Sequence, residues 1–200
     1  MPFRTRLSPI LAVPLLLIVS TACTQQDGEY ATAGTEQIDE TASPASPADG
    51  FSIHVMAPHV VNGEVMGPFH HYCKVISPEP VIQCILFESV IADAPMTEVE
   101  YIVAKSLTRN LIDREQWNVA WHDHAVEIAS GRVQVMDMSE ADAQQVVDIV
   151  MNTDGLIFHM WPAGSEIPTG DVSIAQAVSH VGFDEAEWNS QLEALSASSE

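Results

Sequence analysis

Lysine is almost missing from this chain: Lys74 and Lys105 are the only two, and Lys plus Arg number 7 against 28 Asp plus Glu. The formal net charge is −21. A surface this acidic repels phosphate backbones and excludes nucleic acid as a partner. It also offers no basic patch for docking on anionic lipid. The acids themselves form no Asp-x-Asp-x-Asp-Gly run, so no EF-hand calcium loop is present. There is no Gly-x-Ser-x-Gly, no phosphate-cradling glycine loop and no Cys-x-x-Cys, which removes the usual nucleophile-elbow, nucleotide and dithiol readings. No internal repeat is present. What remains is an ordinary apolar fraction of 46%, enough for one sizeable core, and 8 histidines, more than all the Lys and Arg together.

The first segment carries Arg4 and Arg6, then an apolar stretch over 10–19 interrupted by Pro14. That stretch is short for a bilayer span and suits a signal h-region, and no other segment is long and apolar enough to cross. Ser20-Thr21-Ala22-Cys23 follows, similar to the bacterial lipoprotein signal in which the Cys becomes the lipidated first residue. Ser20 stands where Leu is usual, so ordinary cleavage near Ala22 is the other reading. Residues 1–22 are therefore expected to be a signal peptide, and Cys23 a lipidation site that ties the protein to a membrane. Residues 23–50, rich in Thr, Ala, Ser, Pro and acids, read as a disordered tether. Thr24 rather than Asp after Cys23 points to the outer membrane of a Gram-negative cell, facing the periplasm.

The folded domain is expected over 51–183, with 184–200 a C-terminal helix and tail. Strands are expected at 51–56, closed by Ala57-Pro58, and at 69–76 and 81–90 around the turn signal Ser77-Pro78-Glu79-Pro80. A symmetric four-residue loop pairs residues 73 and 84. Cys73 and Cys84 then face one another, open to a cross-strand disulfide or to two buried thiols. Thr97-Glu98-Val99-Glu100 has the form of a capping box and predicts a helix reaching toward Leu111. Residues 117–128 read as a strand, 133–136 as another, and Ser139 with Asp142 caps a second helix whose apolar face is Val146, Val147 and Val150. A strand over 156–161, a loop over 164–171 and short helices over 174–178 and 184–195 complete a single α+β domain: an antiparallel sheet with hairpins packed against two or three helices.

The histidines are clustered. His122-Asp123-His124 lies on an expected strand, which puts both imidazoles on one face, a common half-site for a divalent metal. Parity sends Glu127 to the opposite face unless a bulge intervenes. His70 and His71 are adjacent, so only one can share a face with a given partner. His159 shares a face with Trp161, His54 and His59 flank the first turn, and His180 stands alone. The candidate metal ligands are His122, His124, His159, His71 and His70, suited to zinc, copper, nickel or iron. Cys73 beside His71 is a poor Cys–His dyad, because neighbouring same-face positions seldom give the needed geometry.

Phe69-His70-His71-Tyr72-Cys73, Gln83-Cys84, Val99-Glu100-Tyr101-Ile102, Trp121-His122-Asp123-His124 with Glu127, and His159-Met160-Trp161 together resemble the oil-body-associated protein family. Ile53-His54-Val55 with His59, and Ile167-Pro168-Thr169-Gly170, add to the match, which runs over about 51–180. The resemblance implies a domain found in plants, fungi and bacteria with no established molecular activity, associated in plants with lipid droplets. It implies no catalytic residue. Two functions follow as expectations: an exported lipoprotein with a His-rich metal-binding site, or a non-catalytic envelope lipoprotein that binds a lipid or a partner protein.

Overall fold

The computed structural model describes residues 46–161, 167 and 172–198. The expected signal peptide, Cys23, the tether up to residue 45 and nearly all of the 164–171 loop lie outside the described residues.

The first hairpin is written in Asn62-Gly63. Both residues have positive φ, 52° and 85°, the condition for the two-residue turn that matches strand twist. It joins β1 (Ile53–Val61) to β2 (Glu64–Ser77). β1 does not stop at Pro58. It runs on because the ladder shifts register between Ala57 and His59, where a missing N–H is tolerated. The second hairpin joins β2 to β3 (Val81–Phe87), with Cys73 opposite Cys84 as the turn length requires. The two form a disulfide with Cα atoms 4.1 Å apart, buried among Phe69, Ile82, Leu86 and Ile102. In the chain-entropy picture a loop of this size contributes about 3 kcal/mol.

The helix expected from residue 97 is a strand up to Ala104. β4 (Met96–Ala104) pairs β3 on one edge, and α1 (Lys105–Leu111) begins only after it. Ladders on both sides of β4 outweigh a local capping signal, and Val99, Ile102 and Val103 favour the extended chain. The expected strand over 117–128 is instead α2 (Arg114–Ala120), a two-residue β5 (His122–Asp123) and α3 (His124–Ala129). β6 (Gln134–Met136) and α4 (Glu140–Val150), capped by Ser139, fall where expected. β7 (Thr153–His159) follows. β8 (Ser173–Ala177) occupies the place of an expected short helix, and α5 (Glu185–Ala197) starts at an Asp184–Glu187 capping box.

The architecture corrects the expected sheet packed on helices. β1, β2, β3, β4, β7 and β8 pair in that order, and β8 pairs back onto β1, giving a closed six-stranded antiparallel barrel with β5 and β6 added at its wall. Closure joins His59 to Ala177, residues far apart in the chain, and removes the sheet's free edges. Alternation then sorts each strand into an inner and an outer face. Outside β4 and β7, α1, α2 and α5 pack around Trp117, Trp121 and Trp188. No helix among the described residues is long and apolar enough to cross a membrane.

Candidate functional site

The barrel interior is not wholly apolar. β4 turns Glu98 and Glu100 inward, 0% and 2% exposed, in line with Ile102. β1 supplies His59 and β2 supplies His71. β7 supplies Thr153, Gly155 and His159, all buried. His122 and His124 enter from β5 and the start of α3. Burying carboxylates here is costly unless each is paired, and the partners supplied are imidazoles.

Asp123 explains how both neighbouring histidines point the same way. Its side chain turns outward, caps α3 through the Ala125 N–H at 2.8 Å, and pairs with Lys105 at 2.7 Å and Arg109 at 2.8 Å. Burial works against this carboxylate's charge, but the two cations outweigh it and lower its pKa. Arg109 is itself buried. Its Nη2 also donates to Asp154 at 2.7 Å, and its guanidinium lies over the rings of Trp117 and Phe183 at 5.1 and 4.8 Å.

Three ligand-type atoms meet inside the barrel. His122 Nε2 lies 3.3 Å from His124 Nε2, His124 Nε2 lies 3.3 Å from Glu100 Oε1, and His122 Nε2 lies 3.4 Å from the same oxygen. They form a nearly equilateral triangle. Glu127 Oε2 stands 3.9 Å from both nitrogens. It joins the cluster because residues 124–129 are helical, which places i and i+3 side by side; strand parity had sent it away. The Thr153 hydroxyl donates to Val150 O at 2.6 Å, so its oxygen accepts from His124 Nδ1 at 2.9 Å. That hydrogen bond leaves Nε2 of a neutral His124 as a lone pair aimed at the triangle. His122 Nδ1 is buried with no hydrogen-bond partner among the described residues.

A second string of side chains continues from Glu100. Its Oε2 lies 3.6 Å from His71 Nε2, which lies 3.0 Å from His59 Nε2. His71 Nδ1 donates to Phe69 O at 3.0 Å. His59 Nδ1 bonds Glu98 Oε2 at 2.8 Å, and the other oxygen of Glu98 takes His159 Nδ1. Burial, reinforced by His59, pushes the His71 pKa down to about 4. Burial also opposes charge on His59, but the hydrogen bond and field of Glu98 outweigh it and raise its pKa. His124 is raised against burial in the same way by Glu100. Against their own burial, Glu98 is drawn down to about 2 by His159 and His59, and Glu100 well below the carboxylate range by His122 and His124.

Of the sequence candidates, His122 and His124 meet at one point and His71 borders it. His159 belongs to the Glu98 end of the string. His70 faces outward, away from the barrel interior. Glu98, Glu100 and His59 were not among the sequence candidates. The available signal was two acids at i and i+2 among β-branched residues, which is the buried face of a strand.

The triangle opens on a cavity of about 40 Å³, room for a water or two. Its polar base is His59, His71, Glu100, His122, His124 and Glu127. Its walls are apolar and include Val133, Val135 and the α4 face Val146, Val147 and Val150. Among the described residues no Lys or Arg lines it.

No solved structure matches the chain. It is 30% identical over 162 residues to oil body-associated protein 1B of Arabidopsis thaliana, covering 78% of this chain and 66% of that protein. It is 28% identical over 159 residues to oil body-associated protein 1A of Zea mays, covering 77% and 65%. With oil body-associated protein 2C of Arabidopsis thaliana it shares 29% over 115 residues, 56% and 47% of the two chains. The chain thus spans two thirds or less of the length of these relatives. Residues 45–196 match the family described as "Protein of unknown function (DUF1264)", and the chain belongs to that family, with the oil body-associated proteins as its relatives.

Proposed function

We propose that the barrel interior binds one divalent transition-metal ion, with His122, His124 and Glu100 as its protein ligands. The observation that carries this is the triangle. Three ligands at tetrahedral angles and about 2.0–2.1 Å bonds stand roughly 3.3–3.4 Å apart, and the three observed separations are 3.3, 3.3 and 3.4 Å. Two histidines and one carboxylate are also a donor set of open catalytic sites, with zinc and iron the best fits. Thr153 fixes the His124 tautomer, as an outer partner of a ligating imidazole does. A cation bound there supplies Lewis acidity to a substrate oxygen. Glu127, on the same cavity wall, holds or takes a proton, and the apolar walls exclude bulk water. With no Lys or Arg in the wall among the described residues, and with Glu100 and Glu127 in it and Glu98 behind, the cavity favours a small neutral substrate over an anion. Metal analysis of the purified domain, followed by zinc and iron(II) titration, tests this. One equivalent lost in His122→Ala and Glu100→Gln is expected; a folded protein that takes up neither ion sinks it.

A second reading, binding of an apolar molecule without chemistry, draws on an adjoining cavity of about 50 Å³ walled by Ile53, Val75, Ile82 and Ile149 under α4. Organic extraction of the purified protein separates it from the first: a bound lipid in metal-free protein supports it. We also infer that the chain is exported and anchored through Cys23, on the strength of Arg4, Arg6, the apolar 10–19 stretch and Ala22-Cys23. Fractionation of cells carrying Cys23→Ser checks this, and unchanged membrane retention contradicts it.

A further inference from the structure

The outer wall of the barrel carries another histidine pair, separated from the interior cluster by the strands themselves. His54 of β1 and His70 of β2 both point outward, while their neighbours Val55 and His71 line the interior cavity. His54 Nε2 and His70 Nδ1 stand 3.0 Å apart. His54 is 5% exposed although it lies on the outside. Tyr72 stacks on its ring at 4.5 Å, with the planes 14° apart, and Asp137 bonds its other nitrogen at 2.6 Å. Asp137 follows β6 with φ of 60°, in the left-handed region that few non-glycine residues enter. That turn brings its otherwise exposed carboxylate onto His54 Nδ1. His70 borders an open depression shared with Gly67, Pro68 and Glu88, so the pair is approached from solvent on the His70 side.

The chemistry of the arrangement is specific. With the Nδ1–H of His54 donated to Asp137, Nε2 is the lone-pair nitrogen, and it faces His70 Nδ1. One proton between the two nitrogens completes a hydrogen bond; one metal ion in its place takes both as ligands. Two imidazole nitrogens bound side by side at about 2.0–2.1 Å stand roughly 2.9–3.3 Å apart, which brackets the observed separation. The carboxylate behind His54 is the outer partner that ligating histidines commonly have.

We propose that His54 and His70 form a second, solvent-facing site for a divalent transition cation, backed by Asp137, with copper(II) bound most tightly and zinc or nickel more weakly. The remaining positions are left to water or an exogenous ligand. The order follows the general affinity series for nitrogen sites. The site is independent of the interior centre and stands whether or not that centre holds a metal.

Copper(II) titration of His122→Ala, which removes one nitrogen from the interior cluster, followed by electron paramagnetic resonance, tests the proposal. A signal with hyperfine structure from two nitrogens is expected in that background. It should vanish when His70→Gln is added, a change that keeps a donor for His54 Nε2 and so preserves the fold. Asp137→Asn should weaken this copper binding about 10- to 100-fold. Gly155→Ala, which crowds only the interior cluster, should leave the signal in place. A two-nitrogen signal unchanged on adding His70→Gln, or one that disappears on adding Gly155→Ala, assigns the copper elsewhere and overturns the proposal. So does a folded His122→Ala protein with no two-nitrogen signal at all.

Discussion

Gly155 and His122 face one another across the β5–β7 ladder, and the His122 ring fills the space a side chain on Gly155 would need. A β-carbon built at residue 155 would overlap the imidazole and also sit 2.6 Å from Glu100 Oε1. The glycine is there for that close approach and not for its backbone freedom, since it sits within a regular strand. Gly155→Ala is therefore expected to push His122 and Glu100 apart, weakening interior metal binding by at least tenfold with the barrel intact. Isothermal titration with zinc, alongside circular dichroism, checks this. Unchanged affinity would mean that the two side chains are not the ligands.

How much of this was legible beforehand differs by element. Ser77-Pro78-Glu79-Pro80 and Ser139 are local signals, and each marks the turn or helix start it promised; Asn62-Gly63 and Asp184 are equally local in their effect. The Cys73–Cys84 register followed from loop length alone. Thr97-Glu98-Val99-Glu100 misled because the capping pattern is also local, while the ladders that make it a strand come from β3 and from β7 far downstream. The 117–128 segment breaks into pieces too short to show a period. Barrel closure through His59 and Ala177 leaves no trace in either segment. For the site, His-x-His was readable. Glu100 joins it only through the β4–β7 pairing, and Glu127 only because the chain turns helical at His124.

Arg109 is the buried cation on which the other wall depends. It bridges Asp123 and Asp154, and Trp117 Nε1 donates to the same Asp154 at 3.0 Å. Burial disfavours its charge, yet the two carboxylates outweigh this and raise its pKa. Arg109→Met leaves two buried acids with one cation, Lys105, beside only one of them. Removing one partner of a buried ionic network costs about 3–5 kcal/mol. Urea unfolding measures that loss. Arg109→Lys should recover little of it, because an ammonium cannot reach both carboxylates at once.

The acid limb of stability should carry the mark of Glu98. Its folded-state pKa of about 2 lies below the ordinary 4.5. The unfolded chain therefore takes up the proton first as pH falls. The contribution is complete above about 4.5 and is lost as pH drops toward 2; the whole shift amounts to roughly 3 kcal/mol, of which about 2 is gone by pH 3. Urea midpoints for the metal-free protein should fall between pH 4.5 and 3, and fall less steeply in Glu98→Gln. Parallel slopes in the two proteins would place the acid sensitivity elsewhere.

Thr153 controls which nitrogen of His124 is offered to the interior. Its hydroxyl hydrogen is committed to Val150 O, so its oxygen can only accept, and the proton on His124 must sit on Nδ1. Thr153→Val keeps the shape and the β-branch but removes that acceptor. The ring is then free to carry its proton on Nε2, facing Glu100, where it competes with a cation for the same lone pair. Loss of an outer partner of this kind weakens metal binding about 10- to 100-fold. The effect should show in competition with a chelator and should persist as pH rises, because which nitrogen carries the proton is a property of the neutral ring. Thr153→Ser, which restores the hydroxyl, should recover most of the affinity. If Val and Ser behave alike, the hydroxyl does not set the tautomer and the loss comes from packing around β7.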